Sequence, residues 1–383
     1  MDHREIGRNL DLFTFSDLSP GNPIWLPNGA FVYSALEEAM RDFNQRSGYH
    51  EVRTPLLFKP DLFKISGHWD FYKDNMFVVG DDEYVLKPMN CPGHMEIFRS
   101  RHWSYRDLPY RMSDMSVLHR NEVSGAVGGL TRCRSFCQDD AHIFLRENQL
   151  EAELDKMIKD ASRVLKSFGF SFNIEVSTRP DNYLGTKELW DKAENVLKNV
   201  AGDCKICEKE GAFYGPKVDF FVVDSKSKEW QISTVQLDFQ LPRNFDLKFT
   251  NENNVEEIPV VIHRAFFGSY ERFIALLLED CQGKLPFWLS PKQIAIIPVS
   301  EKHSVDSVLN ALDYARLEIL KEGTVSARVA QAQARAIPYS IVVGQKELDS
   351  KLFNLRSLDG NVRKDMSYLD LLTHYNEENF WRI

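Results

Sequence analysis

The chain has 383 residues, of which 43% are apolar and 12% aromatic, enough for a large buried core and more consistent with two domains than with one. The formal net charge of −9 argues against a protein that coats nucleic acid through bulk charge, although a local basic surface can still bind phosphates. No apolar run approaches the roughly 20 residues of a membrane helix, so we expect no membrane partner. Six cysteines without disulfide-framework spacing indicate reduced thiols, which favours the cytoplasm, with the mitochondrial matrix as the alternative.

The first predicted helix follows the turn-rich stretch 18–29 and ends before Gly48, because apolar residues recur there at three- and four-residue steps. An extended run from His50 to Thr54 comes next, and a second amphipathic helix is predicted from about Gln149 to Ser167. Other patterns up to residue 263 predict strands at Tyr110–Leu118, Cys133–Cys137, Ala141–Leu145, Phe170–Val176, Val218–Val223, Trp230–Leu237 and Val260–His263. Strands outnumber crossover helices, so residues 1–288 are predicted to form an α+β domain with a mostly antiparallel sheet.

After a predicted linker at 283–291 the pattern changes to alternating strands and helices. The sequence predicts strands at Gln293–Pro298 and Tyr339–Val343 and near Leu352, a helix near Ser304–Leu320, a second helix, and a final helix at the C-terminus. This alternation is typical of a small α/β domain, which we place at residues 289–383.

A glycine-rich turn between Leu118 and Phe144 is flanked by three of the four phosphate-binding candidates of the chain. Guanidinium groups bind phosphate oxygens through a planar fork, and glycines let the backbone bend tightly around a bound group. One arginine alone is more often part of a surface salt bridge, but several together favour a phosphate site. The candidates are Arg120, Arg132, Arg134 and Arg272, with Glu122 as an acceptor for an amine and Phe136 as a surface on which an aromatic base stacks.

Cys91, His142 and His263 are soft or borderline metal ligands, and three protein ligands with one open position describe a catalytic zinc site. By spacing alone His94 and His119 are equal candidates. Each of these residues is also compatible with a buried cysteine at a helix start or a hydrogen-bonded core histidine. The lone CxxC at Cys204 and Cys207 lacks the second pair of a four-cysteine zinc site, so we predict a polar loop there.

Two further blocks, AFYGPKVDFFV and EWQISTVQLDFQLP, carry polar residues at alternating positions. On neighbouring strands such residues face one cavity, although half-buried polar strand residues are more often solvent-facing. The candidates are Tyr214, Lys217, Gln231, Thr234, Gln236 and Asp238.

These motifs resemble a known family. HRNE at 119–122, the RxR at 132–134 before Phe136, and GSYERF at 268–273 resemble motifs 2 and 3 of class II aminoacyl-tRNA synthetases. Within that class, five segments resemble the threonyl-tRNA synthetases. In chain order they are KPMNCPGH, QDDAHIF, AFYGPK, TVQLDFQLP and IHRAFFGSYERF. The resemblance implies a class II catalytic domain, an antiparallel sheet flanked by helices, over residues 1–288 and an anticodon-binding α/β domain over 289–383.

The resemblance also implies roles for individual residues. By this resemblance, Cys91, His142 and His263 bind zinc, and the zinc coordinates the amino group and hydroxyl of threonine. Asp140 accepts a hydrogen bond from that hydroxyl. The threonine pocket is completed by Met89, Gln138, Tyr214 and Gln236. Arg120 holds the α-phosphate of ATP, Glu122 binds the adenine amine, and adenine lies between Phe136 and Arg272. The ATP site is completed by Arg132, Gln231 and Thr234; Lys217 joins Arg120 and Arg272 among the catalytic residues, and Mg²⁺ assists the departing pyrophosphate.

The implied reaction forms threonyl-adenylate and then passes the threonyl group to tRNA(Thr). The helix before Gly48 and the strand up to Pro55 match motif 1, the contact of a homodimer. An alternative is a catalytically weakened synthetase that acts as an RNA-binding or regulatory module. A prolyl or seryl enzyme is less consistent with the full set of one cysteine and two histidines.

Three departures from the family pattern carry expectations of their own. Ser233 replaces a glycine or alanine beside the pocket, which predicts a changed pocket shape. The stretch 324–339 is poor in basic residues and the region before it is short, so we expect weak anticodon binding. The chain begins where the catalytic core of the family begins, so we expect the N-terminal editing module to be absent.

Overall fold

The fold is taken from a computed structural model that describes residues 1–224 and 228–381. The chain folds as two compact units. One comprises Met1–Ser16, Pro23–Leu36 and the chain from Leu276 onward, and the other comprises Asp17–Asn22 and Glu37–Ala275. The domain boundary between residues 288 and 289 stays a prediction.

The mixed α+β class predicted from the sequence is confirmed. In the described part of the chain the α-helices are His3–Asn9, Pro27–Arg46, Pro60–Ile65, His68–Tyr72, Cys91–Arg99, Leu150–Ser167, Lys187–Ala201, Leu241–Asn244, Tyr270–Cys281, Asp306–Ala311, Val325–Ala334, Gln345–Ser350 and Tyr368–Glu378. None of these helices is long and apolar enough to cross a membrane.

The second unit is built on an eight-stranded sheet that is mostly antiparallel, as predicted. Only the two edge strands pair in parallel with their neighbours. From one edge to the other the strands are Lys205–Cys207, Phe172–Ser177, Lys217–Val223, Glu229–Asp238, Val260–Ala265, Asp140–Leu145, Tyr110–Asp114 and His50–Glu51. The first of these corrects the predicted polar loop at Cys204 and Cys207, because the CxxC segment extends the sheet by pairing with Glu175–Ser177.

Shorter strands form further small sheets. Three of them are pairs: Phe13–Thr14 with Ile24–Trp25, Val117–His119 with Ser135–Cys137, and Phe249–Thr250 with Glu256–Glu257. The fourth has three strands, in which Tyr84–Leu86 pairs with Leu57–Phe58 on one side and with Phe77–Val79 on the other. The predicted strand Tyr110–Leu118 is therefore two strands in different sheets. The chain bends between them, where the Ser116 hydroxyl donates to the Asp114 carboxylate.

Two long helices cover the sheet. The predicted helix at Leu150–Ser167 is confirmed, and its apolar face, including Leu154, Met157, Ala161 and Leu165, is fully buried. The helix Lys187–Ala201 was not predicted, although the Thr186 hydroxyl caps it by accepting from the Leu189 N–H and although its apolar residues recur at helical spacing. The helix predicted before Gly48 is also confirmed, and Gly48 follows it with a φ of 77° that favours glycine.

The C-terminal part of the first unit has a five-stranded sheet, in agreement with the predicted α/β domain. Its strands lie in the order Leu317–Ile319, Ile294–Pro298, Tyr339–Val343, Phe353–Ser357 and Val362–Met366, of which the first three are parallel. The last strand was not predicted.

The helix predicted near Ser304–Leu320 is wrong over its second half. The helix ends at Ala311, and Leu317–Ile319 is an edge strand that pairs in parallel with Ile294 to Ile296. Leu317 and Ile319 alternate with Glu318, a period of two that suits a strand. Within the weakly basic stretch 324–339, Arg328 is buried and donates to the carbonyls of Pro298 and Leu320 at 2.6 and 3.2 Å, so its charge is not available at the surface.

A buried ion pair joins two central strands of the large sheet. The Arg264 guanidinium donates to the backbone carbonyl of Asp139 at 2.8 Å and to its carboxylate at 3.2 Å, and both side chains are fully buried. The Asp139 carboxylate also accepts the backbone N–H groups of Phe266 and Phe267 at 2.8 and 2.9 Å. Asp139 is thus held inside the sheet, pointing away from its neighbour Asp140.

Replacing Arg264 by methionine leaves the Asp139 carboxylate buried without its cation. We expect the Arg264→Met protein to lose about 3–5 kcal/mol of stability, measured from the urea midpoint by circular dichroism. Arg46→Met is the matched control, since Arg46 pairs with Asp42 at an exposed site where ion pairs contribute little. Equal midpoints for the two variants would contradict the structural role of the buried pair.

Candidate functional site

One thiol and two imidazoles meet at the centre of the large sheet. Cys91 begins the helix Cys91–Arg99, whereas His142 and His263 lie directly opposite each other on paired antiparallel strands. Their candidate ligand atoms all lie within 4.8 Å of one another, and the three residues are buried. The Nε2 of His142 is 2.9 Å from the Nδ1 of His263.

The hydrogen-bond partners of His263 identify its tautomer. Its Nε2 is 2.9 Å from the Asp238 carboxylate, whose other oxygen accepts the backbone N–H groups of Gln240 and Leu241 at 2.7 and 2.9 Å. Because a carboxylate accepts, Nε2 carries the proton and Nδ1 presents its lone pair to His142 and Cys91.

Burial controls the protonation of these groups. Burial, together with His263 and His94, lowers the pKa of His142 well below its usual value, so the ring is neutral. Burial, reinforced by Asp140 and Asp238, raises the pKa of the Cys91 thiol well above its usual value. Cys91 is therefore a neutral thiol that would lose its proton to a bound cation. A thiolate and two neutral imidazoles are the ligands that zinc prefers, and a cation between the two facing nitrogens relieves the repulsion of their lone pairs. The residues therefore fit the expected metal.

The structure shows which of the candidate histidines belong to the ligand cluster, a question that sequence spacing left open. The Nδ1 of His94 lies 2.8 Å from the Nδ1 of His142, on the side of that ring away from Cys91 and His263. His119 is in the short strand Val117–His119, with its Nε2 3.5 Å from the Ser135 hydroxyl. Neither belongs to the three-ligand cluster.

The Cys91 cluster opens into a cavity of about 390 Å³, which we call the metal-side cavity. Every residue expected to bind threonine lines it. Its lining side chains include Met89, Cys91, Arg120, Gln138, Asp140, His142, Tyr214, Lys217, Gln231, Thr234, Gln236 and His263. The Asp140 carboxylate accepts from the Asn90 amide at 3.1 Å, which fixes its orientation towards the cavity.

A second cavity of about 380 Å³, which we call the arginine cavity, is lined by three guanidinium groups. It also shares Arg120, Gln138, Gln231 and Thr234 with the metal-side cavity. Its own lining includes Tyr72, Glu122, Arg132, Phe136, Ser269 and Arg272. Burial, followed by the charges of Arg120 and Arg132, lowers the pKa of Arg272, so this cavity concentrates positive charge.

Backbone carbonyls hold the guanidinium of Arg272 in place. Its Nε donates to the Thr131 carbonyl at 2.9 Å and its Nη1 to the Gln231 carbonyl at 3.2 Å. Arg120 lies over the Phe136 ring, 4.9 Å from its centroid, and Arg132 pairs with Glu122 at 2.8 Å. These groups are oriented for a planar, anionic ligand.

Arg134 does not line either cavity. Its guanidinium donates to the carbonyls of Glu122 and Pro20 at 2.9 and 3.3 Å and to the Ser124 hydroxyl at 3.4 Å. It supports the loop that carries Glu122, which corrects its interpretation as a phosphate ligand.

The polar strand residues reach the cavity through an irregularity in the sheet. A bulge opposite Phe220 and Phe221 brings Gln231 to the same face as Thr234 and Gln236, which simple alternation does not predict. Tyr214 lies in the turn before the strand Lys217–Val223 rather than on a strand. Asp238 does not line the cavity but lies behind His263.

Ser233 lies on the strand face opposite to Thr234, as alternation along the strand requires. Its hydroxyl donates to the carbonyl of Phe266 and it is fully buried away from both cavities. Ser233 is therefore not part of the wall of either cavity, and the expected change in pocket shape stays a prediction.

Asp219 is a site residue that the motifs did not identify. Its buried carboxylate accepts from Gln231 at 2.6 Å, Thr234 at 2.9 Å and Ser177 at 3.0 Å, and it pairs with Lys217 at 2.8 Å. One acidic residue thus positions three predicted site residues. The alternation of Lys217 and Asp219 on one strand face was the available signal.

His68 is a second residue beside the site that the sequence motifs did not identify. It is fully buried with its ring 5.8 Å from that of Tyr214, and burial lowers its pKa to about 3. Its Nδ1 contacts the Ser66 hydroxyl at 2.7 Å.

Comparisons with known proteins agree with this arrangement. The family model for the tRNA synthetase class II core domain (G, H, P, S and T) matches residues 76–281, and the anticodon binding domain model matches residues 293–377. The fold and the site therefore define a class II tRNA synthetase core followed by an anticodon-binding domain.

Individual relatives narrow the class. The chain is 44% identical over 374 residues to threonine-tRNA ligase 2 of Bacillus subtilis and 42% identical over 377 residues to threonine-tRNA ligase of Thermotoga maritima, covering 93% and 95% of this chain. A crystal structure described as the RNA binding domain of threonyl-tRNA synthetase from Cryptosporidium parvum matches with a TM-score of 0.96 and 40% identity, covering 99% of both chains. The chain belongs to the threonyl-tRNA synthetase family. It spans 57% and 59% of the length of the two ligases.

Proposed function

We propose that the chain activates L-threonine with ATP and transfers the threonyl group to the terminal adenosine of tRNA(Thr). One observation carries this proposal: the metal-side cavity and the arginine cavity share a wall formed by Arg120, Gln138, Gln231 and Thr234. A small ligand beside Cys91 therefore lies next to an anionic ligand among the arginines. Adenylate formation requires an amino acid and a nucleotide held in this way.

The metal-side cavity suits threonine. Cys91, His142 and His263 would hold zinc, which when bound supplies a Lewis acid for the amino group and side-chain hydroxyl of the substrate. Asp140, oriented by Asn90, would accept a hydrogen bond from the threonine hydroxyl, and the remaining wall is supplied by Met89, Gln138, Tyr214 and Gln236.

The arginine cavity suits ATP with Mg²⁺. Phe136 and the fixed guanidinium of Arg272 both line this cavity, and we assign the adenine to the space between them, with the Glu122 carboxylate accepting from its amine. Arg132 offers a cation to the outer phosphates. Asp219 contacts the side chains of Gln231, Thr234 and Lys217 and holds them in place. We assign these three side chains to contact the reacting groups.

Arg120 stands where the two ligands meet. A carboxylate oxygen of threonine attacks the α-phosphorus, the bond to the pyrophosphate oxygen breaks, and pyrophosphate leaves with its electron pair. Arg120 and Arg272 neutralise the charge that develops on the phosphoryl oxygens. The reaction needs no covalent enzyme intermediate.

The second step and the partners follow from the family. The anticodon-binding domain would contact tRNA(Thr), and the helix Pro27–Arg46 with the strand His50–Glu51 corresponds to motif 1, where we place the contact of a homodimer. The alternative of a regulatory RNA-binding module is not favoured, because the ligand cluster and the arginine cavity are both complete in residue type.

The amino-acid specificity follows from the hydroxyl. We expect threonine-dependent ATP–pyrophosphate exchange, with valine disfavoured by ~10⁴-fold or more in kcat/KM, because a site built to bind a hydroxyl group rejects an analogue that lacks it. Serine, which lacks only a methyl group, is expected to be disfavoured on the order of 10–200-fold. Exchange supported by serine or proline but not by threonine would refute the specificity.

The metal content of the purified protein tests the ligand set. Emission spectrometry is expected to find about one zinc per chain, and Cys91→Ser or His142→Ala should abolish both the metal and the exchange activity. Cys281→Ser is the control, because Cys281 lies outside the cluster. A metal-free protein with full activity would overturn this part of the proposal.

The role of Arg120 is tested by truncation. Arg120→Ala is expected to lower kcat/KM for exchange by about 10²–10³-fold, the usual effect of removing one preorganised donor to a developing charge. Arg99→Ala, at a surface pair with Glu96, should leave the rate unchanged. If the two variants exchange at similar rates, Arg120 does not contact the transition state.

A further inference from the structure

The ring behind His142 is itself a histidine. His94 lies in the helix Cys91–Arg99, is fully buried, and places its Nδ1 2.8 Å from the Nδ1 of His142. On its other side the Nε2 of His94 lies 3.7 Å from the Asp114 carboxylate and has no other polar partner among the described residues. Asp114, His94 and His142 therefore form a continuous buried line that ends at the ligand cluster.

A contact between two Nδ1 atoms requires that one ring donates and the other accepts. If His94 donates, its Nε2 lone pair faces the Asp114 carboxylate, and two acceptors oppose each other in a buried site. If His142 donates, the Nε2–H of His94 faces Asp114 and the Nε2 lone pair of His142 faces Cys91 and His263. Only the second direction places an N–H group, rather than a lone pair, towards the Asp114 carboxylate at 3.7 Å and frees the ligand atom.

Asp114 is held firmly enough to set this direction. One of its carboxylate oxygens accepts the Thr54 backbone N–H at 3.1 Å and the Thr54 hydroxyl at 2.7 Å, and the other accepts the Ser116 hydroxyl. The buried ammonium of Lys87 lies 3.6 Å away and donates to the Thr54 hydroxyl oxygen at 2.6 Å. A cation and three donors keep the buried carboxylate in one place.

We propose that His94 and Asp114 are positioning residues that hold His142 in the tautomer and orientation needed to bind the metal. This inference rests on the metal site of the proposed function. His263 contacts Asp238 directly at 2.9 Å, so a buried carboxylate lies behind each imidazole ligand, hydrogen-bonded to His263 in one case and 3.7 Å beyond the intervening His94 ring in the other. His94 is thus a support for the cluster and not a fourth ligand.

Two substitutions of His94 separate positioning from packing. His94→Asn keeps an oxygen near the position of Nδ1 that accepts from His142, whereas His94→Leu fills more of the volume and accepts nothing. The zinc dissociation constant of each purified protein is measured by competition with a chromophoric chelator, using Zn²⁺ alone. We expect zinc affinity to fall about 10–100-fold for His94→Leu and by less than about tenfold for His94→Asn.

A packing role predicts the reverse order, because leucine leaves the smaller cavity in an apolar surrounding. His374→Leu removes a buried histidine of the other unit and should leave zinc affinity unchanged. The visible absorption of Co²⁺ in place of Zn²⁺ provides a readout of ligand geometry that is independent of activity, and it should change in His94→Leu and stay close to the wild type in His94→Asn.

Thermal unfolding by circular dichroism identifies variants that fold. If neither His94 variant folds, the zinc affinity of Asp114→Asn is measured instead. This variant keeps an acceptor for Thr54, and we expect it to lose about tenfold in zinc affinity. The inference is overturned if His94→Leu binds zinc as tightly as His94→Asn, or if Asp114→Asn binds it as tightly as the wild type. A wild-type protein that takes up no Zn²⁺ overturns the metal site itself, and this inference with it.

Discussion

The antiparallel pairing of Asp140–Leu145 with Val260–Ala265 is the constraint on which the site depends. Its register places His142 opposite His263, and the next pair along places Ala141 opposite Arg264. Because side chains alternate across a strand, a slip of one residue in either strand would send its imidazole to the opposite face, away from the other. The buried Arg264–Asp139 pair opposes such a slip, since it locks the neighbouring residues on the other face of the same two strands.

The same alternation gives the two adjacent acidic residues, Asp139 and Asp140, different roles. Asp139 is committed to Arg264 and two backbone N–H groups, and Asp140 is left to line the metal-side cavity. Asp219, Asp238 and Asp114 are buried carboxylates that touch no ligand directly in the proposed mechanism. Asp219 holds Thr234 and Asp238 holds His263, and both of these residues line the cavity, whereas Asp114 faces His94, which lies behind His142. The cavity walls are therefore oriented before a ligand arrives.

Several parts of the site were predictable because one motif carries both the residue type and its neighbours. Arg120 with Glu122 and the RxR before Phe136 are near in sequence, and the structure brings them to one cavity with Arg272. The histidines were not separable in this way. His94, three residues after Cys91, looks like a ligand by spacing, yet the helix turns its ring to the far side of His142. Gln231 reaches the cavity through a bulge, which a period of two does not reveal.

The errors in secondary structure have a similar origin. The residues from Ser304 to Leu320 contain enough apolar positions for a helix, and the strand Leu317–Ile319 exists because Ile294–Pro298 offers it an open edge to pair with. The CxxC segment becomes a strand for the same reason, by extending a sheet that already exists. Pairing partners distant in the chain decide these cases, and local preference is overridden.

By itself the sequence determined the mixed α/β composition, the long amphipathic helices and the residue types of the site, since these depend on local period and on motifs a few residues long. Only the tertiary structure decided which histidines meet, which carboxylates face the cavity and which support it. Those outcomes depend on strand register, which here pairs segments more than a hundred residues apart, and on the direction of buried hydrogen bonds between residues that are not neighbours in the chain.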